Sequence, residues 1–235
     1  WPLASLVGSV VGTVIGVIGF VGGIISRLSS SEATSMRIAS LTISEGAAQQ
    51  LSPVDTEEGL DAIDKLRRGA RNLEVYNSFE ATVRPIIEAT ALIREVHQDA
   101  FQRLRNLNAI VVDEVQKTPS IESLGVTARL VIAGDFALVA AQYPYETITA
   151  AVRDLDFVMM IYDEEEAVAA AKGNDVLVNA IIAARAQASH AILQNNIQLP
   201  GTILFDAKGE WPSLVAAQII YQDGSRHVEL ENNNP

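Results

Sequence analysis

Apolar positions along this chain recur mostly at three- and four-residue steps. The longest run is Phe79, Val83, Ile86, Ile93, Ala100, Phe101, Leu104, Leu107, Val111 and Val115. That spacing draws one stripe along an α-helix. A single helix of this length spans roughly 50 Å, which predicts an elongated body, with Pro85 near its start or at a kink. Upstream, Ser52-Pro53-Val54-Asp55 sets a capping residue, a first-position proline and a first-turn acid, opening a helix to about Asn77. Downstream, Thr118-Pro119 stops the long run and Ser120 opens a helix to about Gln142. Tyr143-Pro144-Tyr145 interrupts again. Helices from about Glu146 to Lys172 and from Asp175 to about Asn195 follow, separated by Gly173. Leu199-Pro200-Gly201 closes the body, and Thr202 to Phe205 reads as a short strand before a turn from Asp206 to Gly209.

The two ends break this pattern. From Trp1 to Ser26 there is no charged residue, and Arg27 is the first. About 20 apolar residues suffice to span a bilayer, so length permits insertion. Gly8, Gly12 and Gly16 share one helix face, and Gly19 and Gly23 repeat the spacing on a neighbouring stripe; small residues so placed let helix backbones approach closely. Each interior helix glycine costs roughly 1 kcal/mol relative to alanine, so tight packing has to offset them. Three readings stand side by side: a helix buried in a multi-subunit assembly, a membrane-inserting segment, and a signal sequence without a basic start. The residues from Ser29-Ser30-Ser31 to Leu51 read as a mixed connector.

At the other end, Ser213 is placed to cap a short helix carrying Leu214, Val215, Ile219 and Ile220. Asp223-Gly224 turns the chain, and a second helix bears Val228 and Leu230. A Leu-x-x-Ala-x-x-x-Tyr helix, an Asp-Gly turn and a helix ending in Glu-Leu-x-x-x-Asn resembles lysin-motif (LysM-like) modules. It is also similar to the C-terminal end of the DNA-circularisation, or N, proteins of Mu-like contractile phage tails. The likeness extends upstream through Tyr143-Pro144-Tyr145-Glu146, Gly173-Asn174-Asp175-Val176-Leu177 and Ile182-Ala183-Ala184-Arg185-Ala186. In all it covers roughly residues 126 to 234. Those proteins begin with a β-rich domain that has no counterpart here, and they continue past the final Asn into a His-Pro-aromatic segment. The resemblance therefore implies the C-terminal part of a longer polypeptide, a virion structural role and a location in the phage tail.

Composition narrows the partners. Hydrophobic residues make up 49% and aromatics 6%, and the net charge is −12. That balance disfavours duplex DNA, which is held by clustered cations, and anionic membrane surfaces. Cysteine is absent, which removes disulfides and thiolate metal sites. His97, His190 and His227 are scattered and make no ligand set. Asp163-Glu164-Glu165-Glu166 lacks the alternation of a calcium loop and reads as a solvated helical turn. Lys65, Arg67, Arg68 and Arg71 lie near Asp61 and Asp64, consistent with local pairing on an exposed face. No phosphate loop or nucleophile elbow is present.

The expectation is a mainly α protein in three parts. Residues 1–51 form an apolar glycine-rich arm and connector, 52–198 a helical body, and 199–235 a small α+β LysM-like module. It is expected to be a non-enzymatic, cofactor-free component of a contractile tail near the baseplate. Its partners would be other tail proteins and copies of itself in a ring, with Gly8, Gly12, Gly16, Gly19, Gly23, Leu214, Val215, Ile219, Tyr221 and Leu230 as the assembly residues. The alternative is a membrane-active protein inserting residues 3–26. For the C-terminal module, docking is weighed above glycan binding, because Trp211 and Tyr221 are the only aromatic platforms in it.

Overall fold

The computed structural model describes residues 30–51, 60–61, 64, 79–96, 99–201 and 212–233. The glycine-stepped arm with Gly8, Gly12, Gly16, Gly19 and Gly23 lies outside the described residues. So do most of the helix expected from Ser52 to Asn77, the basic cluster, His97 and the strand expected from Thr202 to Phe205. Among the described residues the protein is mainly α, and no strand occurs.

Among the described residues eight helices with full bounds follow one another: α1 (Ser30–Leu51), α2 (Phe79–Val96), α3 (Ala100–Lys117), α4 (Glu122–Gln142), α5 (Ile148–Ala171), α6 (Asp175–Asn196), α7 (Ser213–Tyr221) and α8 (His227–Asn233). Single 3-10 turns at Pro119–Ile121 and Gly224–Arg226 precede α4 and α8. The chain divides into two compact units, Trp1–Leu199 and Pro200–Pro235.

Two sequence expectations fail in the larger unit. The stretch read as a mixed connector is a helix, α1, which buries Ala39, Ile43, Ala47 and Leu51. Its four-residue period was masked because half of that stripe is alanine. The long run from Phe79 to Val115 is two helices, not a single rod. α2 ends at Val96 and α3 begins at Ala100, where the Arg103 amide donates to the Asp99 carbonyl at 3.1 Å. The physical reason is the core. Folding back lets Ile86 and Ile93 of α2 and Leu104, Leu107 and Val111 of α3 all become fully buried, with both helices packed on α4. A continuous rod would leave one half of that stripe in water, at roughly 1.5–3 kcal/mol per large side chain. Ile86, Ile93, Ala100, Leu104, Leu107 and Val111 of the stripe are thus covered within the chain.

α4 is the centre. Every residue from Leu130 to Leu138 is buried, as are Leu124 and Ala128. A helix apolar on all sides needs neighbours on all sides, and α4 packs against α2, α3, α5 and α6. Gly125 permits the closest approach: a Cβ there would stand 2.2 Å from a Val115 methyl of α3. α1 lies across α2 and α3, anchored by Arg103, whose guanidinium donates to the Gln50 carbonyl.

α5 and α6 form a hairpin whose turn is dictated residue by residue. Thr147 caps α5, its hydroxyl accepting from the Ala150 amide at 3.3 Å. Gly173 (φ +67°) ends it: the Gly173 amide donates to Ala170 and the Asn174 amide to Ala169, the double closure of a Schellman stop. Asn174 then caps α6 by accepting from the Leu177 amide at 3.2 Å.

In the smaller unit the two short helices and the Asp-Gly turn occur where expected. The cap does not. Ser213 is the first helical residue, and Pro212 precedes it with its carbonyl accepting from the Val215 and Ala216 amides. Gln222 leaves α7 in the left-handed region (φ 55°). The Asp223 carboxylate then accepts from the Ser225 amide at 2.9 Å and the Ser225 hydroxyl at 2.7 Å, bonds that hold its carboxyl below the usual range.

Candidate functional site

Three charged residues lie on the central helix α4, and each is answered from another part of the chain. Asp135 is buried and takes the Arg94 guanidinium of α2 at 2.6 Å. Burial pushes its carboxyl up, while Thr90 and Arg94 pull it down. Arg129, 12% exposed, reaches Glu165 of α5 at 2.6 Å, pairs with Glu164 and donates to Asn108 of α3 at 3.2 Å. Burial raises the Glu165 carboxyl to about 7, with Arg129 opposing the shift. Glu122, at the start of α4, pairs with Lys172 just beyond α5.

A fourth pair lies beside these. Arg105 of α3 donates to Asp154 of α5 at 2.7 Å, and the Tyr145 hydroxyl donates to the other oxygen of that carboxylate at 2.9 Å. Burial, and then the Asp154 charge, drive the Tyr145 hydroxyl upward, so it stays a donor. The Arg105 guanidinium sits 5.2 Å from the Phe136 ring and 5.0 Å from that of Phe157, within cation–π range, and its Nε has no acceptor. Phe101 contacts Phe136 at 4.9 Å and Tyr143 at 5.2 Å, joining the rings into one cluster.

The reading of Asp163 to Glu166 as a solvated turn is therefore corrected. Glu165 is buried on Arg129, and Arg185 of α6 pairs with Asp163 and, at 2.9 Å, with Glu166. Consecutive acids point in different directions around α5, so two reach one arginine and two the other. Chemically the arrangement is a set of guanidinium–carboxylate locks. Breaking a buried pair costs far more than the pair contributes, so such locks select which helices neighbour each other. Among the described residues, no three His, Asp or Glu side chains come together as a metal-ligand group. His190 is exposed, and His227 Nδ1 lies 3.2 Å from the Gly224 carbonyl.

The expected assembly residues of the C-terminal end fall on α7 and α8. Leu214, Val215 and Ile219 are exposed, as is Val228; Tyr221 and Leu230 are half-buried, and the buried residues of α7 are Ala216 and Ala217. Leu214, Val215 and Ile219 are therefore not the packing core that holds this unit. The Arg226 guanidinium stacks 4.0 Å from the Tyr221 ring and forks onto Glu229. The buried locks escaped the sequence reading, although a signal existed: Arg129 and Asp135 interrupt an otherwise apolar helix. No protein-family model and no curated protein matches the chain.

Proposed function

We propose that the protein is a structural component of a contractile phage tail or related injection machine, near the baseplate, working through protein–protein assembly. The observation that carries this is the apolar surface of α7: a nine-residue helix that leaves Leu214, Val215 and Ile219 in water. Exposed clusters of this kind mark docking sites. The likeness of residues 126–234 to Mu-like tail proteins names the kind of machine. In this reading the C-terminal unit is a LysM-like docking module. Its partners are other tail proteins and identical copies in a ring, and its location is the virion. The body supplies rigid support, since its buried charges are engaged in locks rather than poised for chemistry.

The test is incorporation. Leu214→Asp with Ile219→Asp, both at exposed positions, should leave the helical body folded and exclude the chain from assembled particles. Normal incorporation of the double variant overturns the docking role. Retention of the wild-type unit on peptidoglycan sacculi, lost in the variant while particles assemble, would favour glycan binding instead.

A membrane-active reading draws on one observation. Among the described residues two helices, α4 and α6, are long and apolar enough to cross a membrane. α4 argues against it, because withdrawing it from the bundle strips Arg129 and Asp135 of their partners, and charges in hydrocarbon are costly. Leakage of dye-loaded liposomes by the purified chain would revive that reading.

A further inference from the structure

The α5–α6 hairpin is fastened differently at its base and at its tip. At the base, Leu155, Val158, Ile161 and Tyr162 of α5 and Ile192 of α6 are buried. There the Asp154 carboxylate also takes both the Arg105 guanidinium and the Tyr145 hydroxyl. Beyond Glu165 the apolar grip thins: across residues 166–181 only Ala169, Leu177 and Ile181 are buried apolar side chains. The tip leans instead on charged contacts. Arg129 of α4 reaches Glu165 at 2.6 Å and pairs with Glu164, and Lys172 pairs with Glu122 of α4.

These contacts do not balance in charge. Glu122, Glu164 and Glu165 supply three carboxylates, whereas Arg129 and Lys172 supply two cations. The neighbouring cations are engaged elsewhere. Arg105 of α3 is held on Asp154 at the base, and Arg185 of α6 is shared by Asp163 and Glu166. What α3 turns toward Arg129 is the neutral Asn108. Glu122 and Glu164 keep much of their surface in water, but the Glu165 side chain is 3% exposed. A buried carboxylate in excess of its cations is stabilised by a proton. Its carboxyl is accordingly raised to about 7, by burial first, against Arg129, with Glu164 and Glu122 adding to the rise.

We infer that the tip of the α5–α6 hairpin is a proton-held flap. With a proton on Glu165 it lies closed on α4; loss of that proton lets it lift while the base stays pinned through Asp154. Lifting carries Glu165 and Glu164 into water, where ionised carboxylates are well solvated, and uncovers few apolar side chains. Such an opening costs less than unfolding the bundle, as local opening units do. Its direction follows from linkage. The closed form binds the proton more tightly than the open, hydrated form, so rising pH favours opening. The flap goes beyond the tail reading and stands without it.

Hydrogen exchange of the full-length chain, read peptide by peptide by mass spectrometry across a pH series, is the test. Amide protection over residues 166–181 should lie about tenfold or more below that of α3 at each pH, the mark of a local opening. Residues 151–158, at the pinned base, should sit with α3. From about pH 5.5 to about pH 8.5 the tip's protection factors should fall about tenfold or more as Glu165 ionises. Glu165→Gln keeps the group neutral, so its tip should hold the low-pH protection throughout. Glu164→Gln, at an exposed position, evens the charges and should shrink the fall. Circular dichroism checks that each variant is folded. A tip as protected as α3 at every pH overturns the flap, because Glu165 would then leave α4 only when the whole bundle unfolds. Tip protection that does not fall with pH overturns it too, and so does a fall that persists in Glu165→Gln. Should Glu165→Gln fail to fold, an unchanged fall in Glu164→Gln overturns it.

Discussion

α4 and α6 are near twins in length and apolarity, and both could cross a membrane by those measures, yet 89% of the apolar stretch of one is buried and only 33% of that of the other. The difference lies in where bulk and charge are placed. α4 carries large apolar residues on every side and sets Arg129 and Asp135 among them, each answered by a neighbouring helix. α6 gathers Leu177, Ile181 and Ile192 with the small Ala184, Ala188 and Ala191 on one side, and sets Asp175, Asn179, His190 and Gln194 among the residues of the other. Apolarity alone does not decide burial. A charge that can be satisfied only from inside the fold marks α4 as interior, whereas polar residues set along one side of α6 keep that side at the surface.

The sharpest way to break this comparison is to remove one answered charge. Arg129→Leu leaves Glu165 buried without its guanidinium, and unpartnered buried charges cost about 3–5 kcal/mol. The matching change on α6, Arg185→Leu, touches pairs in which Asp163 is 60% exposed and should cost under about 1 kcal/mol. Urea midpoints of the two variants measure the contrast. Arg129→Leu with Glu165→Leu should recover most of the loss, since replacing a whole buried pair by apolar groups is close to neutral. If the two single variants are equally stable, the locks do not organise α4.

The same lock carries a pH dependence. Burial raises the Glu165 carboxyl from 4.5 to about 7, so the folded state holds this proton more tightly than the unfolded chain does. The group therefore favours folding most strongly below about pH 4.5. That contribution is lost as pH rises through about 7, a change on the order of 3 kcal/mol. Asp135 is shifted in the same direction. Melting temperatures across this window should fall with rising pH, and Glu165→Gln should flatten the slope. A slope of opposite sign that vanishes in Glu165→Gln would mean that Arg129 outweighs burial.

Gly125→Ala tests how closely α4 is gripped. The added methyl meets Val115 at 2.2 Å, and overpacking of a filled core costs about 1–3 kcal/mol, less the helix propensity gained over glycine. Val115→Ala in the same chain should relieve the clash, visible as a double-variant midpoint above that of Gly125→Ala alone. On the outer side of α6, Ala183→Ser should cost almost nothing.

What could be read from the sequence follows from these contrasts. α4, α5 and α6 were placed within a few residues because Pro119, Pro144 and Gly173 punctuate strong periodic runs. α1 was missed since Ala39 and Ala47 carry half of its stripe, and alanine gives a weak periodic signal. The break between α2 and α3 was missed because a stripe looks the same whether it runs straight or folds back on a shared neighbour. Only the need to cover α4 distinguishes the two. The ion pairs were missed for the same reason: Arg94 meets Asp135 across 41 positions and Arg105 meets Asp154 across 49. Local spacing carries no trace of such partners. The acid run on α5 looked solvated because its two arginines come from other helices.

The smallest expected effect is also the most discriminating for α6. Ile182 is 40% exposed, so Ile182→Ser removes little buried area, and surface changes of this kind stay within about 0.5 kcal/mol. In dilute solution its melting curve should overlay that of the wild type. A control at Met160 of α5, exposed to a similar degree, should behave in the same way as Met160→Ser. Had α6 been a core helix like α4, Ile182→Ser would lower the melting curve by a few kcal/mol, about the cost of a cavity in a packed core. A drop of that size would therefore place the outer face of α6 inside its own fold, and the two helices would no longer differ.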